Sequence, residues 1–357
     1  MKISRHFPWL FASTLLAIGS VQVAQAAPAD TDSKGNRAEK TAYSLTIDND
    51  VYFQTDRYYT DGLQFEWKRT GGTLKGAEYD VLSTLCNQLE CDANNYVQTK
   101  SRIGQAAYTP ADITISADQR LDHPWVGYLY YERSYDFLSK DGLQQTTLTG
   151  QVGILGHYSF ADEVQKGAHK IFGSEPPRGW SNQIGNSVGL LAGIERRYAF
   201  GDVGESSGTH LRTAGYWSLT AGNVNTSAGV GLNFVLGKNL PRIASNDPIH
   251  KSSLDHVGAA CLVEWLQCSL FGGVEARVVA FNVFVDGNLG RNETDISKKP
   301  IIVDLTLGGR LIFSSTRSAS SGPFYLQFKA SHRTQEFKSP LPVHAHTYGS
   351  LTFGVDF

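Results

Sequence analysis

Few positions in this chain carry residue types and spacings that could do chemistry. Asn49 follows Leu45 and Ile47 in an apolar alternating register that resumes at Val51, with Asp48 and Asp50 flanking it on the other face. An amide in an apolar register is costly in hydrocarbon unless it lies at an interface or another element covers it. The next extended stretch begins Tyr58-Tyr59-Thr60-Asp61-Gly62, so a short hairpin loop would hold Thr60 beside Asn49 and Asp50. An amide, a carboxylate and a hydroxyl can fix an ester head group or help hold a hard cation. His169 could act as a general base. It lies in the last turn of a helix expected over Phe160 to Phe172, with Ser159 as cap, Asp162 in capping-box position and Gly173 as stop. Glu175 follows just past that helix. Polar rims and surface histidines are common, so these residues alone do not require an enzyme. Two other nucleophile patterns are weaker: Gly185-Asn186-Ser187-Val188-Gly189 leads into a strand instead of a strand-to-helix elbow, and His157 with Ser159 stands at a loop start.

The elements that must position these residues are strands. Near the end of the chain Gly349, Leu351, Phe353, Val355 and Phe357 alternate with Ser350, Thr352, Gly354 and Asp356. Twelve such segments are expected, near 42–52, 58–69, 99–108, 124–135, 142–154, 187–200, 210–222, 226–237, 271–285, 300–314, 322–334 and 345–357. Most are long enough to cross a bilayer at a tilt, and tyrosine and tryptophan gather towards their ends. The reading is all-β: a transmembrane antiparallel barrel of about twelve strands over 42–357, with a short helix in an extracellular loop. Polar alternates of both signs, Glu66, Lys68, Glu132, Glu195, Arg197, Glu275, Arg277, Arg310 and Lys329, would fill its interior as a paired network. The stretches 70–98 and 238–270, each with a cysteine pair, fall on the periplasmic side, where turns are usually short; either a strand is miscounted or that mouth is plugged.

Composition agrees. A formal charge of −2 over 357 residues, with 41% hydrophobic and 18% charged residues, excludes a disordered chain and a strongly basic nucleic-acid binder. Lys2 and Arg5 precede an apolar stretch ending at Ala24-Gln25-Ala26, so residues 1–26 read as a secretory leader and 27–41 as a polar N-terminal segment. In an oxidising compartment, Cys86 with Cys91 and Cys261 with Cys268 is the simplest pairing. Nothing points to a nucleotide.

Ile47-Asp48-Asn49-Asp50, Asp56-Arg57-Tyr58-Tyr59-Thr60-Asp61-Gly62, Val164 through Gly173 and Gly179-Trp180-Ser181-Asn182-Gln183 together resemble the lipid A 3'-O-deacylase family of Gram-negative outer membranes. The resemblance implies a twelve-stranded barrel whose site lies between the wall and a loop helix at the outer leaflet. It further implies hydrolysis of the 3'-linked acyloxyacyl ester of lipid A with calcium, at Asn49, Asp50, Thr60, His169 and Glu175. With no serine paired to His169, the imidazole would activate a water directly. Asp50 and Glu175 would hold or position the Ca2+, although either could instead orient His169; Asn49 would serve the oxyanion or the metal shell, and Thr60 would orient the groups or the water. A phospholipase-like outer-membrane hydrolase and a non-enzymatic pore are the competing readings.

Overall fold

The computed structural model of the chain describes residues 40–71, 73–91, 93–204, 208–238, 240, 243, 266–313 and 323–356. The expected leader, residues 27–39 and Cys261 lie outside the described residues. The strands are β1 (Lys40–Asn49), β2 (Tyr58–Thr70), β3 (Tyr96–Thr109), β4 (Val126–Leu138), β5 (Gln144–Leu155), β6 (Ser187–Gly204), β7 (Thr209–Gly222), β8 (Asn225–Lys238), β9 (Leu266–Asn282), β10 (Ser297–Lys298), β11 (Ile301–Phe313), β12 (Phe324–Arg333), β13 (Phe337–Lys338) and β14 (His346–Asp356). Twelve of them close into one antiparallel barrel, β14 pairing with β1, while β10 and β13 form a separate small ribbon. All twelve segments expected from alternation are present. The even count places both ends of the barrel chain at one rim, the terminal end, and the β1–β2 connection at the other, the loop end.

Register decides which way each side chain faces. Leu45, Phe65, Ile103, Tyr131, Val152 and Leu190 stand opposite one another across β1 to β6, and all are exposed. One residue along, the same ladder reads Ser44, Glu66, Arg102, Glu132 and Gln151 and faces inward. A water-soluble barrel would be apolar inside and polar outside; this wall is the inverse, as a lipid-facing barrel requires. Inside, Arg102 donates to Glu66 (2.8 Å) and Glu132 (3.1 Å), Gln151 donates to Glu132 (3.0 Å), and Arg333 donates to Asp304 (2.7 Å), which also accepts from Arg277. The polar alternates Glu66, Glu132 and Arg277 are thus engaged in a buried network around a cavity of about 530 Å3.

The two long connections at the terminal end do different things, and no strand was miscounted. Residues 76–89 form a helix, α1 (Gly76–Leu89), closed by a Cys86–Cys91 disulfide. This helix is not among the expected elements, although Leu82, Leu85, Cys86 and Leu89 recur at helical spacing. It does not plug the mouth. Leu82 and Cys86 pack on Phe137, Leu148, Tyr135 and Ile194, which share the outward register with the exposed belt, so α1 lies against the outside of the wall. From the second connection, Leu240 and Ile243 are buried against the inward-facing Ala214, Val235 and Phe271, filling the lumen at this end.

Candidate active site

Four positions from the belt towards the loop end, the outward ladder reads Asn49, Asp61, Ala107, Gly127. Two polar residues stand next to two small ones, and the loop helix, α2 (Ala161–Phe172), sits on the small ones. A Cβ on Gly127 would come within 2.1 Å of Ser159 Oγ and 2.7 Å of Ala161 Cβ, so only glycine lets the start of α2 press onto the wall. Gln105 Nε2, also outward, donates to the Ser159 carbonyl at 2.6 Å. Trp180 Nε1 donates to the buried Gln165 Oε1 at 2.7 Å, and Trp125 packs on Trp180, which ties the returning loop over the helix.

The helix matches its expected span, and Gly173 ends it with φ +70°. Its start differs. Phe160 takes the left-handed conformation, Ser159 Oγ donates to the Gly156 carbonyl, and Asp162 pairs with Lys166 at 2.9 Å instead of reaching back as a capping box. Ser159, buried between the wall and the helix, still accepts from the Ala161 amide at 3.4 Å, so part of the expected cap is present.

On the β1–β2 side, Asp50 turns off the end of β1 and is almost wholly buried, at 1% exposure. Its Oδ2 accepts from the Arg57 amide (2.9 Å), and its carbonyl accepts from the amide of Phe53 (2.9 Å). No cationic side chain among the described residues pairs with it, and burial pushes its carboxyl up to about 7. Thr60 Oγ1 lies 2.7 Å from Asp56 Oδ1 and 3.3 Å from Asp50 Oδ1, so two carboxylates converge on one hydroxyl. This arrangement needs Tyr58 at φ +61°, a strained value for an aromatic residue. Tyr58 is wedged among His123, Phe337 and His346, and His346 Nε2 is 2.9 Å from the Tyr59 carbonyl, so packing holds the turn in place.

His169 reaches this cluster from α2. Its Nδ1 lies 2.5 Å from the Glu175 carbonyl, an acceptor, so Nδ1 carries a proton, and it is Nε2 that holds the lone pair of the neutral ring. Nε2 stands 3.5 Å from Asp56 Oδ2. Asp50, Thr60 and His169 are therefore brought together, with Asp56 as the link between the last two. In the sequence Asp56 stands only within a motif, since no local pattern tells which acid of a loop will meet a distant helix. Glu175 enters through its main-chain carbonyl; its carboxylate is exposed. Asn49 lies outward at the rim of the cluster, opposite Asp61, and its Oδ1 accepts from the Val51 amide at 2.7 Å. Asp48 turns inward and accepts from Tyr59 (2.5 Å) and Gln64 (2.9 Å). Ser187 Oγ bonds Asn288 at the start of β6, and His157 is exposed in a short turn; neither is arranged as a nucleophile pair.

The donor set suits a hard cation: a buried carboxylate with no cationic partner, a second carboxylate and a hydroxyl, all oxygen. Among the described residues no three His, Cys, Asp or Glu side chains close into a metal cage. A cation here would complete its shell with hydroxyl, backbone, water or substrate oxygens.

Comparison with known proteins bears on this site. The family model described as "Outer membrane protein LpxR" matches residues 10–357. LpxR from Salmonella typhimurium is similar in structure at TM-score 0.66 and 20% identity, over 88% of this chain and 99% of that one. The beta domain of the Bordetella autotransporter BrkA aligns at TM-score 0.40 and 7% identity, over 89% of this chain and 98% of that one. No curated protein matches.

Proposed function

This chain belongs to the LpxR family of outer membrane proteins, and from that premise we propose that it is an outer-membrane esterase removing the 3'-O-linked acyloxyacyl chain of lipid A. The observation that carries the proposal is the meeting of His169 with the Asp56–Thr60–Asp50 cluster on the outer, lipid-facing side of the wall. A site inside the lumen would serve a soluble substrate; a site outside it is open to a lipid. Below the cluster the outward face is apolar through Leu63, Phe65 and Leu45, a surface suited to acyl chains. Val164 and Ile171 on the free flank of α2 are exposed as well, Ile171 at 79%.

In this reading His169 Nε2 takes a proton from a water, whose oxygen attacks the ester carbonyl. The Glu175 carbonyl fixes the tautomer through Nδ1–H, and the Asp56 carboxylate faces the imidazolium that forms. As the tetrahedral intermediate collapses, the C–O bond to the sugar breaks and the imidazolium returns its proton to the leaving sugar oxygen. The fatty acid and a free hydroxyl are the products, and the base is regenerated. Asn49, at the lipid edge of the site, would turn its amide towards the oxyanion. Calcium, when bound, would supply Lewis-acid polarisation of the ester carbonyl, and Asp50 with Asp56 and Thr60 would hold it. Glu175 contributes through its carbonyl, and its exposed carboxylate is available to a metal shell only if the loop turns inward. The buried charge network crossing the lumen speaks against an open pore.

Mass spectrometry of lipid A from a Gram-negative host expressing the chain tests this. Loss of an acyloxyacyl mass is expected with the wild type. It should disappear with His169→Ala or chelator while the barrel stays folded by heat-modifiable gel mobility, a drop of roughly a hundredfold or more for a lost general base. Unchanged lipid A with released phospholipid fatty acids would move the assignment to a phospholipase.

A further inference from the structure

We infer that α1 is an interfacial helix that seats the barrel in the phospholipid of the leaflet at the terminal end, with Val81 and Leu85 as its lipid contacts. Depth is the first argument. The residues beneath α1 (Tyr135, Leu148, Ile194) lie four positions from the exposed belt, on the same outward register but towards the terminal end. Those under α2 lie four positions the other way. Eight residues along a strand are about 27 Å, or roughly 20 Å along the axis at the usual tilt, close to the height of an outer-membrane barrel's apolar band. The two helices therefore mark the two edges of that band.

Direction is the second. Glu78, near the start of α1, accepts from Arg133 on β4 (2.8 Å), and the Leu89 carbonyl at its end accepts from Arg196 on β6. The helix thus crosses the strands and lies in the plane of a membrane, as interfacial helices do.

Roll is the third. Glu78 leans towards the belt, to Arg133 and to the Tyr135 hydroxyl (2.5 Å). Tyr79, about 100° further round the helix, leans the opposite way, its hydroxyl donating to Asn94 at 3.1 Å before the start of β3. Val81 and Leu85 lie on the Glu78 side, so they face the belt, and they are 60% and 40% exposed. The polar Asp80, Thr84 and Asn87 turn away from it and are exposed too. The apolar flank is continuous with the lipid-facing wall, and that continuity identifies its occupant as phospholipid. The Cys86–Cys91 disulfide holds the end of the helix where Cys86 meets the wall.

The test is tryptophan fluorescence of the full barrel in vesicles of dioleoylphosphatidylcholine or its acyl-brominated analogue, read as the difference from wild type. Leu85→Trp should lose at least half of its added emission in brominated lipid, and Val81→Trp should behave alike should the first variant fold poorly. Asn87→Trp should be insensitive to bromine and quenched by aqueous acrylamide. Trp at 81 and 85 open to acrylamide and untouched by bromine, or shielded from both as under a protein partner, would overturn the proposal. No outcome depends on the enzymatic reading of the other end.

Discussion

The helices α1 and α2 are docked on the outside of the same barrel, four residues below and four above the same belt, yet only α2 builds a site. The difference lies in the wall beneath and beside them. At the terminal end the outward row is Tyr135, Leu148 and Ile194, and α1 answers it with Leu82, Cys86 and one acid that pairs with Arg133. The charged groups that touch α1 there are engaged by the scaffold, Glu78 with Arg133 and Arg196 with the Leu89 carbonyl. At the loop end the row is Asn49, Asp61, Ala107 and Gly127, and the small half seats α2 while the polar half is left for His169 to face. A helix on a barrel wall becomes chemical where the wall supplies polar residues that the barrel itself does not use. Docking follows suit: a disulfide and an ion pair fix α1, whereas α2 is held by a glycine notch and neutral hydrogen bonds that set the His169 position.

This contrast can be broken by moving α2 without touching any reacting group. Gly127→Val should lower deacylation roughly a hundredfold, since displacing a base by about 1 Å is costly, while heat-modifiable folding persists; activity within twofold of wild type would show that the notch does not set the site. Asp56→Asn should have a smaller effect, about tenfold in turnover with little change in KM, because its charge matters once the imidazolium has formed. A pure KM effect would place Asp56 in substrate binding instead.

Asp50 gives a pH signature that α1 lacks. Its folded carboxyl, raised to about 7 from 3.8 by burial, favours the fold only while protonated. That contribution is complete below about pH 4 and is lost as pH rises through 7, at most roughly 4 kcal/mol. In chelator, urea denaturation should show Asp50→Asn gaining stability over wild type between pH 4 and 8; a constant difference would refute the burial argument. The smallest effect on activity belongs to α1. Cys86→Ala with Cys91→Ala should leave deacylation within twofold while costing about 2 kcal/mol of stability, as expected for so short a loop; a large loss of activity would couple the two ends of the barrel.

Much of the frame was legible because its signals are local. Alternation with period two marked twelve strands and their even count, while segment length, terminal aromatics and the leader pointed to a wall facing lipid. The register placed Asn49 on the lipid side before any pairing was known. Gly173 marked the end of α2 for a similarly local reason, the left-handed turn that glycine accepts at least cost. Asn49, Asp50, Thr60 and His169 were legible through ordered motifs, and Glu175 by its place just past the helix, although spacing said nothing of their contacts.

What the sequence by itself determined is therefore the barrel, the loop helix and the residue types at the rim, since each follows from neighbours a few positions apart. Only the tertiary structure decided that Asp56 joins Thr60 to His169, that Glu175 meets His169 through its carbonyl, that Gly127 seats α2, and that residues 76–89 lie outside the wall while Leu240 and Ile243 fill it. Those outcomes depend on which strands closure sets side by side and on which side of the wall a long connection falls, and neither is encoded in the period of any one segment.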